Sequence, residues 1–300
     1  MTKKNIYNSC GNFILSSLLL PLVVISSFLY LQTAYGDDTQ NQNQFNTVKD
    51  RLIKDGFSVE DIGKIYSNPK VSPELKGVSL FFVHSESKLN YDQFLSDKSI
   101  NSALAYLKNH EAELDNAESI YGVDKTVITA IMLVETRLGT YLGNRAVINI
   151  LSTMSSLSES SQRERLWNFL SDQQRIARDK FDKKVDSKSA WAYQELKSLL
   201  KYSTREGIDP VEIQGSYAGA MGIAQFMPSN ALTLAKDGDL DGKVNLFNHV
   251  DAMHSIANYL KHHGWQPDVD REQARKVLYK YNHSNVYVDT LLKISDRLKG

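Results

Sequence analysis

The chain has 300 residues, 42% of them hydrophobic, with 35 basic and 35 acidic side chains and a formal net charge of zero. That length can bury a real core in one large or two modest domains. The balanced charge lacks the basic face that nucleic-acid binding needs, and the single cysteine, Cys10, excludes disulfides, thiolate catalysis and cysteine-held metal from the chain beyond it.

Residues 1–36 read as an export signal or a membrane anchor. Lys3 and Lys4 make a basic start, Phe13 to Leu31 is almost purely apolar, and Ala34-Tyr35-Gly36 offers small residues at a cleavage spacing. The apolar run is also long enough to stay in a bilayer. Either way the body of the protein is expected to be exported. Residues 37–45 begin a Gln/Asn-rich stretch with little to bury, which predicts a flexible spacer.

Helical patterns follow at Phe45–Lys54 and Ser58–Tyr66, the second with Ser58 as its cap and Asp61 in its first turn. Asn68-Pro69 and Ser72-Pro73 break the chain, and Leu80–Val83 reads as β or extended. Ser96 or Asp97 is placed to cap a helix running through Ala103, Leu107, Glu111 and Leu114 to Tyr121.

The next helix organises the chain. Val127, Ile131, Val134 and Leu138 recur at helical spacing, with Asp124 as N-cap and Gly139 as a left-handed ending. Glu135 falls in its last turn beside the apolar stripe. Lost hydration and the negative end of the helix dipole both raise the pKa of a carboxyl there, as a glycosidase's general acid requires. The plain alternative is a rim Glu that is solvated or paired with Arg137.

Leu166–Phe181 and Ala190–Leu200 predict two more amphipathic helices. Arg163, Arg165 and Arg175 near the first read as a solvated face or a contact for an anionic polymer. Gly215 to Ser229 (Gly-Ser-Tyr-Ala-Gly-Ala-Met-Gly-Ile-Ala-Gln-Phe-Met-Pro-Ser) suggests close backbone approach and a tight helix start, not a surface loop. It lacks the Lys of a phosphate loop. Gln225 stands there as an uncharged polar residue suited to a neutral ligand.

Asp237-Gly-Asp239-Leu-Asp241-Gly242-Lys243-Val244-Asn245 matches the calcium-loop template, with oxygen ligands at positions one, three, five and nine, Gly at six and an aliphatic at eight. Lys243 takes position seven, where the template uses a backbone carbonyl. The plain alternative is a solvated acidic turn. Asn248 stands where the template has a bidentate Glu, and Asp251 is the nearby carboxylate that could replace it. Calcium here would be structural, not catalytic.

Val250–His262, Glu272–Tyr281 and Val286–Leu298 close the chain as helices. His254, His262 and His263 form no metal triplet at the expected spacing and are expected at the surface.

Together these segments resemble the membrane-bound lytic murein transglycosylase B family, glycoside hydrolase family 103 of the lysozyme-like superfamily. The resemblance rests on Tyr91–Leu95, Tyr121-Gly122-Val123, Val134-Glu135-Thr136-Arg137-Leu138-Gly139-Thr140, the Gly215–Ser229 block, and the acidic loop with Asn258-Tyr259 and His263-Gly264-Trp265. Tyr281-Asn282-His283-Ser284 with Tyr287 completes it. It covers nearly everything from about residue 46; residues 150–210 match loosely. Thr136 and Leu138 stand where the family usually has Ser and Tyr.

The resemblance implies that Glu135 is the catalytic acid and then base, and that Ser216, Gln225, Tyr259, Tyr281 and Asn282 line the sugar groove. It implies a calcium site at Asp237, Asp239, Asp241, Lys243, Asn245 and Asp251 that braces the lower half of the core. Ordinary glycosidases use two carboxylates. The motifs contain one well-placed Glu and no second acid, which fits a substrate that supplies its own nucleophile, the muramic C6 hydroxyl. The expected reaction cleaves the β-1,4 bond between N-acetylmuramic acid and N-acetylglucosamine in peptidoglycan strands and leaves 1,6-anhydro ends. A hydrolytic muramidase and a calcium-braced, non-catalytic peptidoglycan-binding module are the alternatives.

The expected fold is mostly α: a lysozyme-like core from about 96–143 and 215–300, a helical insertion at about 150–210 in a second lobe, and an EF-hand-like calcium loop. The expected setting is the bacterial periplasm or cell envelope. The protein is expected to be monomeric, tethered to the membrane if the signal is retained.

Overall fold

The computed structural model describes residues 44–83 and 90–300. The expected signal or anchor and most of the spacer lie outside these residues. Three short helices come first: α1 (Asn46–Lys54), α2 (Val59–Ser67) and α3 (Leu75–Val83). Ser58 caps α2 by accepting from the Asp61 amide at 3.2 Å. Leu80–Val83 forms the end of α3, not a strand. A short apolar run has no period of its own, so the helix already begun at Leu75 decides its state. Phe45, where the expected spacer meets the first predicted helix, is buried against the edge of the Tyr66 ring.

A 3-10 turn (Asp92–Leu95) leads to α4 (Asp97–Asn109), whose cap Ser96 accepts from the Ser99 amide. The single helix expected to reach Tyr121 is two, because the backbone breaks at His110 before α5 (Glu111–Tyr121). The His110 ring lies against Tyr106 and stacks on His249, contacts that a straight helix gives no reason to expect.

The helix carrying Glu135 is α6 (Lys125–Thr136). Thr126 through Leu133 are all buried, so the predicted one-sided stripe is a helix enclosed on every side, as befits the centre of a domain. Asp124 occupies the N-cap position without capping it, and its carboxylate lies 3.4 Å from Lys299 Nζ instead.

A two-residue antiparallel ladder, β1 (Arg145–Ala146) with β2 (Gln214–Gly215), brackets α7 (Val147–Ser156), α8 (Ser160–Phe169) and α9 (Arg178–Glu206). Every residue of α7 is buried. Its polar side chains therefore take specific partners: Asn149 accepts from Ser72 N and donates to Lys70 O, Ser152 bonds the Tyr66 hydroxyl, and Thr153 accepts from Glu74 N. These bonds fasten the N-terminal helices to the middle of the chain.

The predicted helices Leu166–Phe181 and Ala190–Leu200 are both redrawn. Residues 170–177 interrupt the first, with Arg175 Nε donating to Trp167 O across the bend. The second is the middle of α9, which is 29 residues long. Its charged first half hides the helical period, but Phe181, Val185, Ser189 and Ala192 still mark its buried face. The basic residues here are largely satisfied within the chain: Arg163 pairs with Asp182 and Asp186, and Arg175 with Asp172.

Helices α10 (Pro228–Leu234), α11 (His249–His262), α12 (Arg271–Tyr281) and α13 (Asn285–Lys299) complete the fold. The C-terminal α13 packs on α6, and α11 packs on α5 and α6. His254, expected at the surface, is buried on α11 with the Tyr121 ring meeting it edge to face. One hydrophobic cluster runs from Phe45 to Leu298. Among the described residues, no helix is long and apolar enough to cross a membrane.

Candidate active site and acidic loop

Helix α6 stops at Thr136, before the predicted Gly139, and Arg137, Leu138 and Gly139 follow with φ of 51°, 60° and 83°. Two successive non-glycine residues in the left-handed region cost about 1–2 kcal/mol each, so the neighbourhood must hold them. Thr136 does much of this. Its buried hydroxyl donates to Ile223 O at 3.1 Å and accepts from Gly139 N at 3.0 Å. The residue beside Glu135 thus ties the end of α6 to the Gly215–Ser229 block. Arg137 does not serve as the surface partner considered for Glu135: its guanidinium bonds Gln93 Oε1 and lies over the Phe94 ring.

Glu135 instead faces α13. The Tyr287 hydroxyl donates to Glu135 Oε1 at 2.6 Å, a length typical of a charge-assisted bond. Tyr91 meets the Tyr287 ring edge-on. Tyr281 donates its hydroxyl to Ala224 O at 2.6 Å, and its ring contacts Tyr259 at 4.9 Å and Phe226 at 6.0 Å. Burial, and then the charge of Glu135, push the Tyr281 and Tyr287 phenols well above the usual tyrosine range. Both remain hydroxyl donors at any working pH. Among the described residues, Glu135 is the carboxylate whose charge acts on both.

The Gly/Ala run is a series of tight turns, and the helix start comes at the end of the block, where α10 begins at Pro228. Single bridges join Gly215 to Met221 and Met221 to Phe226. A Cβ on Gly143 would lie 2.1 Å from Gly215 O, and one on Gly215 would lie 2.2 Å from Ala220 O. Backbone here touches backbone, which only glycine permits.

The predicted sugar-contact residues divide by their surroundings. Ser216 Oγ accepts from the Ala218 and Ala220 amides and so shapes its own turn. Gln225 has φ 47° and donates from Nε2 to Gly222 O at 2.9 Å. Tyr259 is 6% exposed, and its hydroxyl donates to Lys280 O at 2.8 Å. Asn282 forms the bend after α12, its carbonyl accepting from Ser284 N. The structure brings Glu135, Tyr259, Tyr281 and the Ala224–Gln225 turn into one cluster. Tyr287, to which the sequence assigned no role, is the residue bonded to the carboxylate. Its distance along the chain from Glu135 left no local signal.

Helix α9 reaches this cluster from outside it. The buried Glu195 carboxylate accepts from both Ser229 N and Ser229 Oγ at the start of α10. Arg205 Nη1 donates to Leu232 O at 2.6 Å. Farther along, the Tyr202 hydroxyl donates to Val244 O and Glu206 Oε2 accepts from Val244 N, both at 2.8 Å.

Val244 belongs to the acidic loop. Carboxylate oxygens of Asp237, Asp239 and Asp251 all lie within 4.8 Å of one another. Asp241 N donates to Asp237 and Asp239, Gly242 N to Asp237, and Lys243 N to Asp241. Asn245 Oδ1 accepts from Phe247 N. Asp251 is completely buried and accepts from Gly238 N at 2.8 Å and Asn245 N at 2.6 Å. Burial raises its carboxyl above the ordinary range, while those two amides pull it back. Asn248 is occupied otherwise: its Oδ1 caps α11 through Val250 N, and its Nδ2 donates to Asp239. Three clustered carboxylates, one fully buried and none in an ion pair among the described residues, form an all-oxygen donor set that fits a hard divalent cation.

Comparison with known proteins gives this arrangement a family. The transglycosylase SLT domain family matches residues 39–273. The chain is 31% identical over 173 residues to membrane-bound lytic murein transglycosylase B of Escherichia coli (strain K12), a match spanning 58% of this chain and 40% of that protein. The chain therefore spans well under two thirds of that relative. The fold is similar to that of the soluble lytic transglycosylase SltB1 from Pseudomonas aeruginosa, with a TM-score of 0.69 and 22% identity over 85% of this chain and 98% of that one. It is also similar to the Escherichia coli lytic transglycosylase Slt35 in complex with calcium, at a TM-score of 0.66 and 21% identity over 85% and 92% of the two chains. With the family matched over most of its length, this chain belongs to the transglycosylase SLT domain family.

Proposed function

We propose that the protein is a peptidoglycan lytic transglycosylase that cleaves the β-1,4 bond between N-acetylmuramic acid and N-acetylglucosamine and leaves 1,6-anhydromuramic ends. The observation that carries this reading is a single carboxylate, Glu135, held by the Tyr287 hydroxyl at 2.6 Å within a cluster of tyrosines. Protonated Glu135 gives its proton to the glycosidic oxygen, and the N-acetylglucosamine side departs as an alcohol. Charge then develops at the muramic C1. The Glu135 carboxylate removes the C6 hydroxyl proton, O6 bonds to C1, and the ring closes with the acid restored. No water is consumed, so no second carboxylate is needed to activate one.

Ser216, Gln225, Tyr281 and Asn282 would orient the sugars by neutral hydrogen bonds. Tyr259 supports them from behind through Lys280 O. We assign residues 46–300 to the catalytic domain, with a lysozyme-like core at about 96–143 and 215–300 and the insertion at about 150–210 as a second lobe. Calcium would be held by Asp237, Asp239, Asp241, the Lys243 carbonyl, Asn245 and Asp251, in an EF-hand-like loop with Asp251 in place of a position-twelve Glu. There it would neutralise packed carboxylates and take no part in bond cleavage. We place the protein, as a monomer, at the bacterial periplasm or envelope.

Mass spectrometry of digested peptidoglycan tests the reaction. Products one water lighter than hydrolytic muropeptides, absent with Glu135→Gln, are expected. Ordinary reducing ends would make the protein a muramidase instead, and strands that bind without being cut would make it a binding module.

A further inference from the structure

The acidic loop and the turn behind Glu135 are joined by a continuous line of hydrogen bonds. Leu246, at the end of the loop and fully buried, accepts from Ile223 N at 2.8 Å through its carbonyl. The carbonyl of the same Ile223 accepts from Thr136 Oγ1 at 3.1 Å, and Thr136 is the neighbour of Glu135. The two backbones approach so closely that a Cβ on Gly222 would lie 2.6 Å from Leu246 O. A second link runs beside the first. A Cβ on Gly139 would lie 2.9 Å from His249 Cε1, and the His249 ring is itself held by the Tyr106 hydroxyl at 2.7 Å. Leu246 and His249 bracket Phe247 and Asn248, so one short segment meets the Glu135 turn twice. The same segment is tied to the carboxylates: Asn245 N donates to Asp251 at 2.6 Å, and Asn248 Nδ2 donates to Asp239 at 2.7 Å.

We propose that a divalent cation in the acidic loop governs the reaction from a distance: it fixes Leu246, and through Ile223 and Thr136 fixes the left-handed turn that orients Glu135. The inference rests on the readings of Glu135 as the acid and of the loop as a calcium site. Thr136, Ile223 and Leu246 are positioning residues, acting through Glu135. Three carboxylates within 4.8 Å of one another repel when no cation lies among them. That repulsion pulls on Asn245 and Asn248, the residues bonded to Asp251 and Asp239. Leu246 lies between those two residues, so its carbonyl moves with them. At the far end, Arg137 and Leu138 have no tendency of their own to stay at φ 51° and 60°. The bonds made by Thr136 therefore decide where the turn sits. A displacement of about 1 Å at a reacting group costs about a hundredfold in rate, so a small movement of Leu246 is enough.

Amide hydrogen exchange of the full chain, read at single-residue resolution in calcium and in chelator, tests the relay. Calcium should slow the Ile223 amide by about fivefold or more, and likewise the Tyr141 amide, which donates to Thr136 O at 2.9 Å. Amides of α1, which packs on α2 and α7, should keep their rates. Thr136→Val should leave the Ile223 response in place and lose most of the Tyr141 response. Thr136→Ser, which keeps the hydroxyl, should retain both and controls for a variant that folds poorly. In parallel, calcium should raise kcat for release of anhydro products about fivefold with KM little changed, and Thr136→Val should flatten that gain. Slowing spread evenly over the chain, α1 included, would be ordinary stabilisation and would overturn the proposal. A Tyr141 response that survives Thr136→Val would overturn it too. Absence of calcium binding would overturn it together with the metal assignment, while anhydro products would still support the enzyme reading. The full exchange pattern with no strand cleaved would support the relay and remove the enzyme reading.

Discussion

Replacing Tyr287 by Phe removes one atom from the centre of the proposed mechanism. The residue is buried, at 1% exposed, and its hydroxyl donates to Glu135 Oε1 at 2.6 Å. Such a bond to an ionised carboxylate is worth about 1.5–3 kcal/mol, and it acts on the charged form. Without it the carboxylate is less favoured, so Glu135 keeps its proton to a higher pH. At about 1.36 kcal/mol per unit, the alkaline limb of the pH–rate profile should move up by about 1–2 units. Near-isosteric replacement should change stability by less than about 1.5 kcal/mol, which a thermal melt checks independently. The assay is release of anhydro-muropeptides across pH, with wild type and Glu135→Gln beside it. A Phe variant that melts like wild type and has an unmoved profile would refute the argument that this hydroxyl sets the state of the carboxylate.

Thr136→Val keeps the shape of the side chain but leaves Ile223 O and Gly139 N without their buried partner, and should cost about 2–3 kcal/mol in denaturant unfolding, whereas Thr136→Ser should be far milder. Gly143→Ala sets a methyl 2.1 Å from Gly215 O at a φ of +86°; displacing that contact by about 1 Å should lower kcat roughly a hundredfold, measured on strands of fixed length. Added calcium should raise the midpoint of thermal unfolding. A concentration about a hundred times the dissociation constant corresponds to about 2.7 kcal/mol, and Asp251→Asn should abolish most of that response. An unchanged melt of the wild-type protein in calcium and in chelator would remove the metal from the acidic loop.

Local signals in the sequence carry far in this chain and then stop. Ser58 and Ser96 cap as their positions predict, and α11, α12 and α13 begin within one residue of the predicted starts. Caps and apolar periods are written within a few residues, so they are readable there. The break at His110 is of another kind, since it is accompanied by stacking on His249, a residue far along the chain. The same holds for Glu135 and Tyr287, on helices that meet only in the fold. Asn248 looked like a defective calcium ligand because the template counts positions. In three dimensions it is the cap of α11, and the buried carboxylate stands one turn further on. The long α9 was missed because its outward charges outnumber its buried residues in the first half.

That long helix has a consequence for how the protein can change over generations. Glu195, Tyr202 and Glu206 fall at intervals of about two turns and one turn, so they share one flank of the rod. From that flank one end of the sugar-facing turns and one edge of the acidic loop are both secured. Elsewhere on the helix a polar side chain answers to one partner region, as Tyr193 and Lys197 do to Asp55, while a change on this flank is felt in two places at once. The loosely matching part of the sequence therefore contains a narrow ribbon whose side chains serve the sugar-facing turns and the acidic loop together.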